Sequence, residues 1–433
     1  MGNDSWRWRI FNVGCTKFKN MKYFKIRKYL LKKIIYQRKI KLLLAFLIAF
    51  QGSHALGSTL VNCGGDYKIF LKDIGSKAIQ RGVDKNAVSL ALKYSKQSKK
   101  VLEMDRRQST FRLSFLDFTK SAINSYRLKN GIKNMEKYLN IFNSAEAMYG
   151  VPAEVITAFW GMETDFGAVQ GNFSTLSALA TLGHDCRRPE IFQEEYIAAI
   201  KLFADDLIEK EITGAWAGEI GQVQMLPSDI LIYGTDGDGD GLVNLKKSSP
   251  DAILTAAVLI SSMGWRPNEP WIEEVIVTDG FPWEKAGFGR ELTLGDWKNL
   301  GVKSRIGKFA VANETKATLL LPQGSKGPKF LAYPNFDVYL RWNDSFIYTV
   351  TAAHLATRLA GAPKFVSNDP ENILTLREMV ELQKILKSRG LNVGKVDGIL
   401  GRNTRQSVRQ VQMEFGFLAD SWPTKSLLKK LKK

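Results

Sequence analysis

Residues 151–167 constrain the fold most, because they predict a helix that must be buried and yet carries a carboxylate on its apolar face. Pro152 suits the first turn of a helix, where its missing N–H is not needed. Phe159 and Trp160 share one face with Glu163 at helical spacing. Burial there would disfavour the charged carboxyl and keep it protonated, as a general acid requires. The alternative is a helix-end Glu163 that turns to solvent or pairs with a lysine.

The rest of the 433-residue chain predicts a mainly α (α+β) protein of two or three domains. Apolar residues at helical spacing run through residues 67–144, and residues 346–359 predict the helix that closes the main domain. Short alternating runs at 317–321 and 336–340 indicate a small insertion that contains strands. The polar run at 105–108 is interpreted as a connector between helices.

The net charge of +19 is concentrated at the two ends of the chain. Residues 1–41 carry +12 and residues 384–433 carry +9, which leaves −2 for residues 42–383. A nucleic-acid-binding protein would concentrate positive charge on its recognition face. We therefore predict no nucleic-acid partner.

Residues 1–55 have the pattern of a basic leader and signal peptide. A basic run at 28–41 precedes nine apolar residues at 42–50, and Ser53 and Ala55 are small residues at the positions that matter for cleavage. The apolar stretch is too short for an ordinary spanning helix. We predict a periplasmic protein; the alternative is an uncleaved leader that anchors the protein to the inner membrane.

Two of the three cysteines, Cys63 and Cys186, lie in the predicted mature chain. A pair of cysteines in an exported chain can form a disulfide, which is our prediction. Cys63 could instead accept a lipid, but Asn62 before it is bulky where a small residue is wanted. Neither cysteine has the ligand spacing of a zinc site.

Two further segments have the composition of a polar ligand site. Residues 214–228 combine dense glycines with Trp216 and two glutamines, which implies close backbone approach to a ligand with polar edges. Residues 333–343 interleave aromatic side chains with amides and Arg341. This combination suits sugars, whose faces stack and whose hydroxyls need donors and acceptors. Taken singly, each segment is explained more simply by core aromatics and turn glycines.

Together, residues 163–167, 216–228 and 341–343 resemble the lytic murein transglycosylase B family, glycoside hydrolase family 103. The resemblance covers about residues 63–362. It implies a lysozyme-like helical catalytic domain, assigned to residues 56–362, that acts on the glycan strands of peptidoglycan. It further implies cleavage of the MurNAc–GlcNAc β-1,4 bond with formation of 1,6-anhydroMurNAc.

Within this resemblance, Glu163 matches the single catalytic acid and base of the family. Ala215 and Leu259 depart from the family pattern, in which some members carry Ser at the first position and Tyr at the second. The motifs and the resemblance together assign as candidate substrate-binding residues Gln224, Arg187, Arg188, Phe192, Trp216, Arg341, Trp342, Asn343 and Tyr348.

A reaction that uses one carboxyl is chemically coherent. Glycosidases that add water usually need two carboxyls. Here Glu163 would protonate the glycosidic oxygen and then deprotonate the MurNAc C6 hydroxyl, which attacks C1; Asp165 is interpreted as a structural residue or cap. One alternative is a hydrolytic muramidase of the same fold, with Glu219 as the best second carboxyl. The other is a non-catalytic peptidoglycan-binding protein.

Residues 236–244 place carboxylates at positions 1, 3 and 5 and glycine at position 6, which is the calcium-loop pattern of an EF-hand. Lys247 occupies position 12, where a bidentate Glu is expected, and Asp251 four residues later could replace it. The predicted ligands of a structural Ca²⁺ are Asp236, Asp238, Asp240, Leu242 and Asp251. A solvated acidic turn is the alternative, and the predicted chemistry requires no cofactor.

Residues 371–433, after a linker at 363–370, predict a separate unit of three helices that resembles the peptidoglycan-binding domain 1 family. The resemblance is carried by Leu382, Gln383, Leu386, Gly390, residues 396–401, Thr404, Val408, Gln412 and Phe415. Its positive charge could also attract the anionic cell wall; the alternative is a helical bundle with no binding role. We expect a monomer, with proteins of cell-wall synthesis or division as candidate partners.

Overall fold

The computed structural model describes residues 61–107 and 113–433, so the predicted leader lies outside the described residues. The described residues belong to one compact unit. They are mainly helical with small antiparallel sheets, which confirms the predicted fold class. Within these ranges no helix is both long and apolar enough to cross a membrane.

In the described part of the chain, six helices precede the segment at 151–167. They are α1 (Tyr67–Gln80), α2 (Lys85–Tyr94), α3 (Lys99–Arg107), α4 (Phe115–Ala122), α5 (Ser125–Lys137) and α6 (Leu139–Tyr149). The side chains of Asp66, Asp84, Ser114 and Asn124 cap four of them by accepting first-turn N–H groups. The prediction of a connector at 105–108 is wrong for residues 105–107, which lie within α3, while Gln108 lies outside the described residues. Asp105 is only 1% exposed.

Helix α7 (Ala153–Thr164) lies in the largest apolar core, as its sequence predicts. It begins one residue after Pro152, and its residues from Val155 to Gly161 are all buried. It packs against α14 (Phe346–Leu359), whose bounds match the predicted closing helix. Because α7 is enclosed on most sides, the direction of its last turn is set by its neighbours.

The chain then passes through a second helical cluster. It contains β1 (Phe173–Ser174), α8 (Thr175–His184), α9 (Pro189–Ala204) and β2 (Thr213–Gly214). The chain then returns to the largest core through α10 (Pro227–Tyr233) and α11 (Ser249–Ser262), which contribute Ile230 and Ile253 to that core. Strands β1 and β2 pair antiparallel. A core that contains Phe70, Leu179 and Tyr196 joins α1 and α2 to α8 and α9.

A disulfide between Cys63 and Cys186 closes this cluster, with the two Cα atoms 5.2 Å apart. It joins the segment before α1 to the turn between α8 and α9. The two cysteines are 123 residues apart in sequence, and α7 lies between them.

The strand-containing insertion is a five-stranded antiparallel sheet in the order β4-β6-β7-β3-β5. The strands are β3 (Ile272–Val277), β4 (Leu292–Thr293), β5 (Val302–Ser304), β6 (Lys316–Leu320) and β7 (Phe330–Ala332), with a 3₁₀ turn at Trp283–Lys285 and α12 (Leu294–Asn299) between them. A separate core around Trp297 fills one face, and the Trp297 indole donates to the Ala317 carbonyl at 2.9 Å. The run at 317–321 is therefore largely a strand, as predicted.

The run at 336–340 is not a strand but part of α13 (Phe336–Trp342), so this prediction was wrong. Phe336 and Tyr339 are both buried, which is the i, i+3 spacing of a helix, but Val338 between them is buried too. Five residues with apolar side chains on two faces cannot distinguish the helical period from the strand period. The helix ends at Trp342, immediately before the turn that leads into α14.

The C-terminal unit contains α15 (Leu376–Ser388), α16 (Arg402–Glu414) and α17 (Lys425–Leu431). A capping box of Thr375 and Glu378 starts α15. The three helices enclose their own core, which includes Leu382, Val408 and Leu427. The unit also packs against the strand-containing insertion through buried side chains.

Candidate active site

Glu163 lies in the last turn of α7 and receives two hydrogen bonds from neighbouring elements. The Trp342 indole donates to Oε1 of Glu163 at 2.8 Å, and the Tyr348 hydroxyl donates to the same oxygen at 2.5 Å. Trp342 ends α13 and Tyr348 lies in the first turn of α14. The Trp342 ring also stacks on Phe159 one turn earlier in α7, with ring centroids 4.3 Å apart.

The two oxygens of the Glu163 carboxyl therefore differ. Oε1 accepts from two donors, whereas Oε2 accepts no hydrogen bond from any side chain or backbone group of the described residues. Since an indole N–H can only donate, a proton on this carboxyl belongs on Oε2. Burial raises the pKa of Glu163, while the bonds from Tyr348 and Trp342 pull that pKa part of the way back. Glu163 is thus an acid whose Oε1 is held by two hydrogen bonds and whose Oε2 is available for proton transfer.

The backbone after Glu163 turns sharply and is held by an ion pair. Asp165 and Phe166 have left-handed backbone conformations, with φ of 49° and 62°. Such conformations are strained in residues other than glycine and persist where surrounding contacts impose them. Asp165 caps α7 and pairs with Arg127 at 2.7 Å, which agrees with its interpretation as a structural residue.

The glycine-rich segment at 214–228 packs directly against α7. The Trp160 indole donates to Oε1 of Gln222 at 3.1 Å, and the Thr164 hydroxyl donates to the Gln222 carbonyl at 2.5 Å. The approach is close because a glycine follows the helix: a Cβ on Gly167, three residues after α7, would lie 2.8 Å from Oε1 of Gln222. Gln222, one of the two glutamines of this segment but not among the predicted site residues, therefore ties the segment to the end of α7.

Gln224 has a left-handed backbone with φ of 50°, which is uncommon for a glutamine. Its side-chain nitrogen donates to the Gly221 carbonyl at 2.8 Å and to the Gln170 carbonyl at 3.4 Å. These bonds fix the amide, so its orientation is set before a ligand arrives. Trp216 of the same segment is half-buried against the core of α8 and α9.

Arg187 and Arg188 are held together by one buried carboxylate. Asp105 pairs with Arg187 at 2.5 Å and with Arg188 through its other oxygen. The Arg188 guanidinium lies over the ring of Phe192, 4.9 Å from its centroid. Asp105 thus positions two of the predicted substrate-binding residues, and the polar sequence around it gave no signal of its burial.

Arg341 and Asn343 make local contacts. Arg341 is exposed and donates to the Met263 carbonyl at 2.6 Å. The Asn343 side chain accepts from the Ser345 backbone N–H at 2.8 Å, so it shapes the turn between α13 and α14. The structure therefore brings Trp342 and Tyr348 to Glu163, whereas the contacts of Arg341 and Asn343 lie with neighbouring backbone.

The acidic loop brings three of its five predicted ligands together. Carboxylate oxygens of Asp236, Asp238 and Asp251 lie within 4.8 Å of one another. Asp240 is not in this cluster, and its carboxylate accepts from the Leu242 backbone N–H at 2.8 Å. Leu242 is exposed, and only its backbone carbonyl could serve as a ligand. Three oxygen donors of this kind fit a hard cation such as Ca²⁺. The calcium site itself stays a prediction.

Calcium is expected to raise the thermal stability of the protein, because a cation that binds only the folded chain stabilises it. At a concentration about 100-fold above its Kd, the gain would be about 2.7 kcal/mol. Thermal unfolding with added Ca²⁺ and after chelation measures this difference. Asp238→Asn should remove most of it, whereas Asp240→Asn in the same loop should change it little. Equal unfolding temperatures with and without Ca²⁺ would show that the loop is only a solvated turn.

Comparison with known proteins identifies relatives of both parts of the chain. Residues 67–357 match the family described as the transglycosylase SLT domain, and residues 376–431 match the peptidoglycan binding domain family. The crystal structure of SltB3 from Pseudomonas aeruginosa, in complex with NAG-anhNAM-pentapeptide, is similar with a TM-score of 0.80 and 32% identity. This similarity covers 86% of the present chain and 100% of the SltB3 chain.

A protein sequence and a solved structure from Escherichia coli are also similar. The membrane-bound lytic murein transglycosylase B of strain K12 is 29% identical over 251 residues, which is 57% of this chain and 68% of that protein. The structure of the lytic transglycosylase Slt35 in complex with calcium has a TM-score of 0.59 and 27% identity, over 72% of this chain and 98% of that chain.

Proposed function

The chain belongs to the transglycosylase SLT domain family of peptidoglycan lytic transglycosylases, and on this basis we propose that it cleaves the β-1,4 bond between MurNAc and GlcNAc. The product is 1,6-anhydroMurNAc, and Glu163 is the acid and then the base. The observation that carries this proposal is the asymmetry of the Glu163 carboxyl, in which Tyr348 and Trp342 hold one oxygen and leave the other available.

In the first step, Oε2 of Glu163 gives its proton to the glycosidic oxygen, and the bond from that oxygen to C1 of MurNAc breaks. The substrate's N-acetyl group stabilises the positive charge that develops at C1. Glu163 is now a carboxylate, and the donors Tyr348 and Trp342 stabilise its new charge through Oε1.

In the second step, the Glu163 carboxylate removes the proton from the C6 hydroxyl of MurNAc, and O6 forms a bond to C1. The carboxyl regains its proton, so the enzyme returns to its starting state and no water is consumed. The relative SltB3 was solved with a ligand that contains an anhydro sugar, which supports this product for the present chain.

The hydrolytic alternative would assign the second carboxyl to Glu219. Oε2 of Glu219 is buried and has no hydrogen-bond partner among the described residues. Burial, with smaller contributions from the charges of Glu163 and Glu195, raises the pKa of Glu219. A carboxyl with a raised pKa is less readily ionised, and its buried Oε2 is not open to a substrate, which makes Glu219 a poor base or nucleophile and favours the transglycosylase over the hydrolase.

Mass spectrometry of the muropeptides released from purified sacculi tests the proposed reaction. We expect products that end in 1,6-anhydroMurNAc, each one water lighter than the reducing product of hydrolysis. Glu219→Gln should leave the product unchanged, because Glu219 has no proton-transfer step in this mechanism. Reducing ends alone would establish the muramidase, and no cleavage by the unmodified protein would establish the non-catalytic alternative.

Tyr348→Phe should lower turnover about 10-fold or more, because a hydrogen bond to a charged group is worth about 1.5–3 kcal/mol. This bond favours the carboxylate, so its loss should raise the pKa of Glu163 and move the alkaline limb of the activity profile to higher pH. Kinetics on a soluble glycan fragment from acidic to alkaline pH measure both effects.

Tyr339→Phe is the matched control for this variant. The Tyr339 ring stacks on Phe159 like that of Trp342, but its buried hydroxyl has no partner among the described residues. Removal of that hydroxyl should leave the pH profile where it is. Identical profiles for all three proteins would mean that the Tyr348 bond does not influence Glu163 in catalysis.

We further propose that residues 371–433 bind peptidoglycan and that residues 363–370 link them to a catalytic domain at 56–362. The family match at 376–431 supports the first assignment. Export to the periplasm by a signal peptide at 1–55 is supported by the leader sequence and by the disulfide, which forms in oxidising compartments. The monomer and the partners in wall synthesis or division stay predictions.

A further inference from the structure

Arg405 in α16 of the C-terminal unit is buried in the contact with the strand-containing insertion and is 4% exposed. Its guanidinium donates to the Leu321 carbonyl at 3.1 Å and to the Pro322 carbonyl at 2.7 Å. Burial lowers the pKa of Arg405 to about 9, so the group stays charged at neutral pH. A buried charge without its hydrogen-bond acceptors is costly, so these carbonyls hold the unit in place.

Further polar contacts surround Arg405. Arg409 donates to the carbonyls of Ala286 and Phe288, the latter at 3.1 Å. The Asp420 carboxylate accepts from both the backbone N–H and the hydroxyl of Ser325 at 2.9 Å. The C-terminal unit is therefore fixed to the insertion by buried bonds and does not depend on the linker alone.

The same arginine contacts the helix that carries Tyr348. The Arg405 guanidinium lies 4.8 Å from the ring centroid of Phe346, which is the first residue of α14. Phe288 packs edge to face with Phe346, with ring centroids 4.9 Å apart. Tyr348 is two residues further along and donates to Glu163. One chain of contacts thus runs from the C-terminal unit to the carboxyl.

We propose that the C-terminal unit is a positioning element of the active site, in which Arg405 holds Phe346 and thereby the Tyr348 hydroxyl against Glu163. The proposal rests on the proposed function of Glu163. It goes beyond wall binding, since it makes the unit necessary for turnover of soluble fragments that offer no wall to bind. A module that serves only as an anchor would influence the cleavage of intact sacculi alone.

The test compares Arg405→Met with Arg389→Met in the full-length protein. Methionine fills the space of Arg405 but cannot donate hydrogen bonds to the carbonyls of Leu321 and Pro322. Arg389 is the control, because it lies on the surface of the same unit, paired with Glu414. On a soluble glycan fragment, we expect Arg405→Met to lower kcat about 10-fold with little change in KM. Binding to sacculi, measured by co-sedimentation, should persist in both variants, and Arg389→Met should keep the unmodified kcat.

A double-mutant cycle with Tyr348→Phe separates positioning from general destabilisation. If Arg405 acts through Tyr348, its replacement in the Tyr348→Phe background should lower kcat little further, and Arg405→Met alone should shift the alkaline limb in the same direction as Tyr348→Phe. Arg405→Lys keeps the charge and should recover part of kcat; it serves in the cycle if the methionine variant does not fold.

The inference is wrong if Arg405→Met and Arg405→Lys leave kcat and the pH profile on soluble fragments unchanged, or if their losses add to that of Tyr348→Phe. The outcome is separable from the proposed function, because that function is tested by the products of the unmodified protein and by Glu163→Gln, in both of which Arg405 is unchanged. A slow Tyr348→Phe enzyme with a normal Arg405→Met enzyme would overturn the positioning role alone.

Discussion

Replacement of Glu163 with glutamine is expected to reduce the release of muropeptides from sacculi by about 10³-fold or more. General acid–base catalysis typically contributes about 10²–10⁴-fold, and here one carboxyl serves in both proton transfers. Glutamine keeps the shape of the side chain, and its oxygen can still accept from Trp342 and Tyr348. Chromatography of the digest measures the loss, with co-sedimentation as proof that sacculus binding persists.

The same variant is expected to be more stable than the unmodified protein at neutral pH. Burial raises the folded-state pKa of Glu163 above its value of about 4.5 in the unfolded chain. Between these two pKa values the folded protein keeps a proton that the unfolded chain has released. Stability is therefore lost as the pH rises through the folded pKa, and a neutral glutamine avoids this loss.

Thermal unfolding from about pH 4 to about pH 8 checks the sign of this effect, because carboxyls with ordinary and raised pKa values titrate in roughly this range. The advantage of Glu163→Gln should grow as the pH rises and vanish at the acidic end. Glu190→Gln, an exposed carboxyl in the first turn of α9, should show no such trend. A glutamine variant that is less stable at every pH would mean that the ionised carboxyl is well accommodated in the fold.

Loss of the Cys63–Cys186 disulfide is expected to be the largest single change in stability. The sequence separation of 123 residues makes the closed loop long, and a loop of this size corresponds to about 4–5 kcal/mol in the chain-entropy description. The loop encloses α7, so its loosening should also lower activity.

Urea unfolding of the Cys63→Ser, Cys186→Ser variant beside the unmodified protein measures this contribution. The midpoint should fall in the variant, and a reductant should lower the midpoint of the unmodified protein by a similar amount. The reductant should have no effect on the double-serine variant. A midpoint that is the same with and without reductant would mean that the bond adds nothing to the folded state.

Sequence reasoning succeeded where a single helix carries the information. The apolar spacing around Glu163 predicted a buried helix, and the predicted closing helix at 346–359 has the observed bounds. It failed for α13, where a run of five residues is too short to define a period. It also missed Asp105, because a carboxylate in a polar run is normally exposed and only the tertiary fold brings Arg187 and Arg188 to it.

The geometry of the candidate site depended on contacts between distant segments. The resemblance assigned Trp342 and Tyr348 to the cleft, but it did not predict that both would bond to the same oxygen of Glu163. That result needs the sharp turn between α13 and α14, which joins two helices at an angle set by packing. Arg405 is a similar case, since nothing in the amphipathic pattern of α16 distinguishes an arginine that faces solvent from one that crosses an interface.

The buried contacts between the C-terminal unit and the insertion have a consequence for how the enzyme searches the wall. A module on a flexible tether raises the local concentration of substrate within the reach of the tether, in any orientation. A module that is held in place by Arg405, Arg409 and Asp420 cannot move through the space that a tether would allow. If it binds glycan as proposed, the distance between the bound glycan segment and the bond that is cleaved is fixed by the fold. The enzyme would then cleave only glycan strands that reach the catalytic domain at one distance and one orientation from the segment bound by the C-terminal unit.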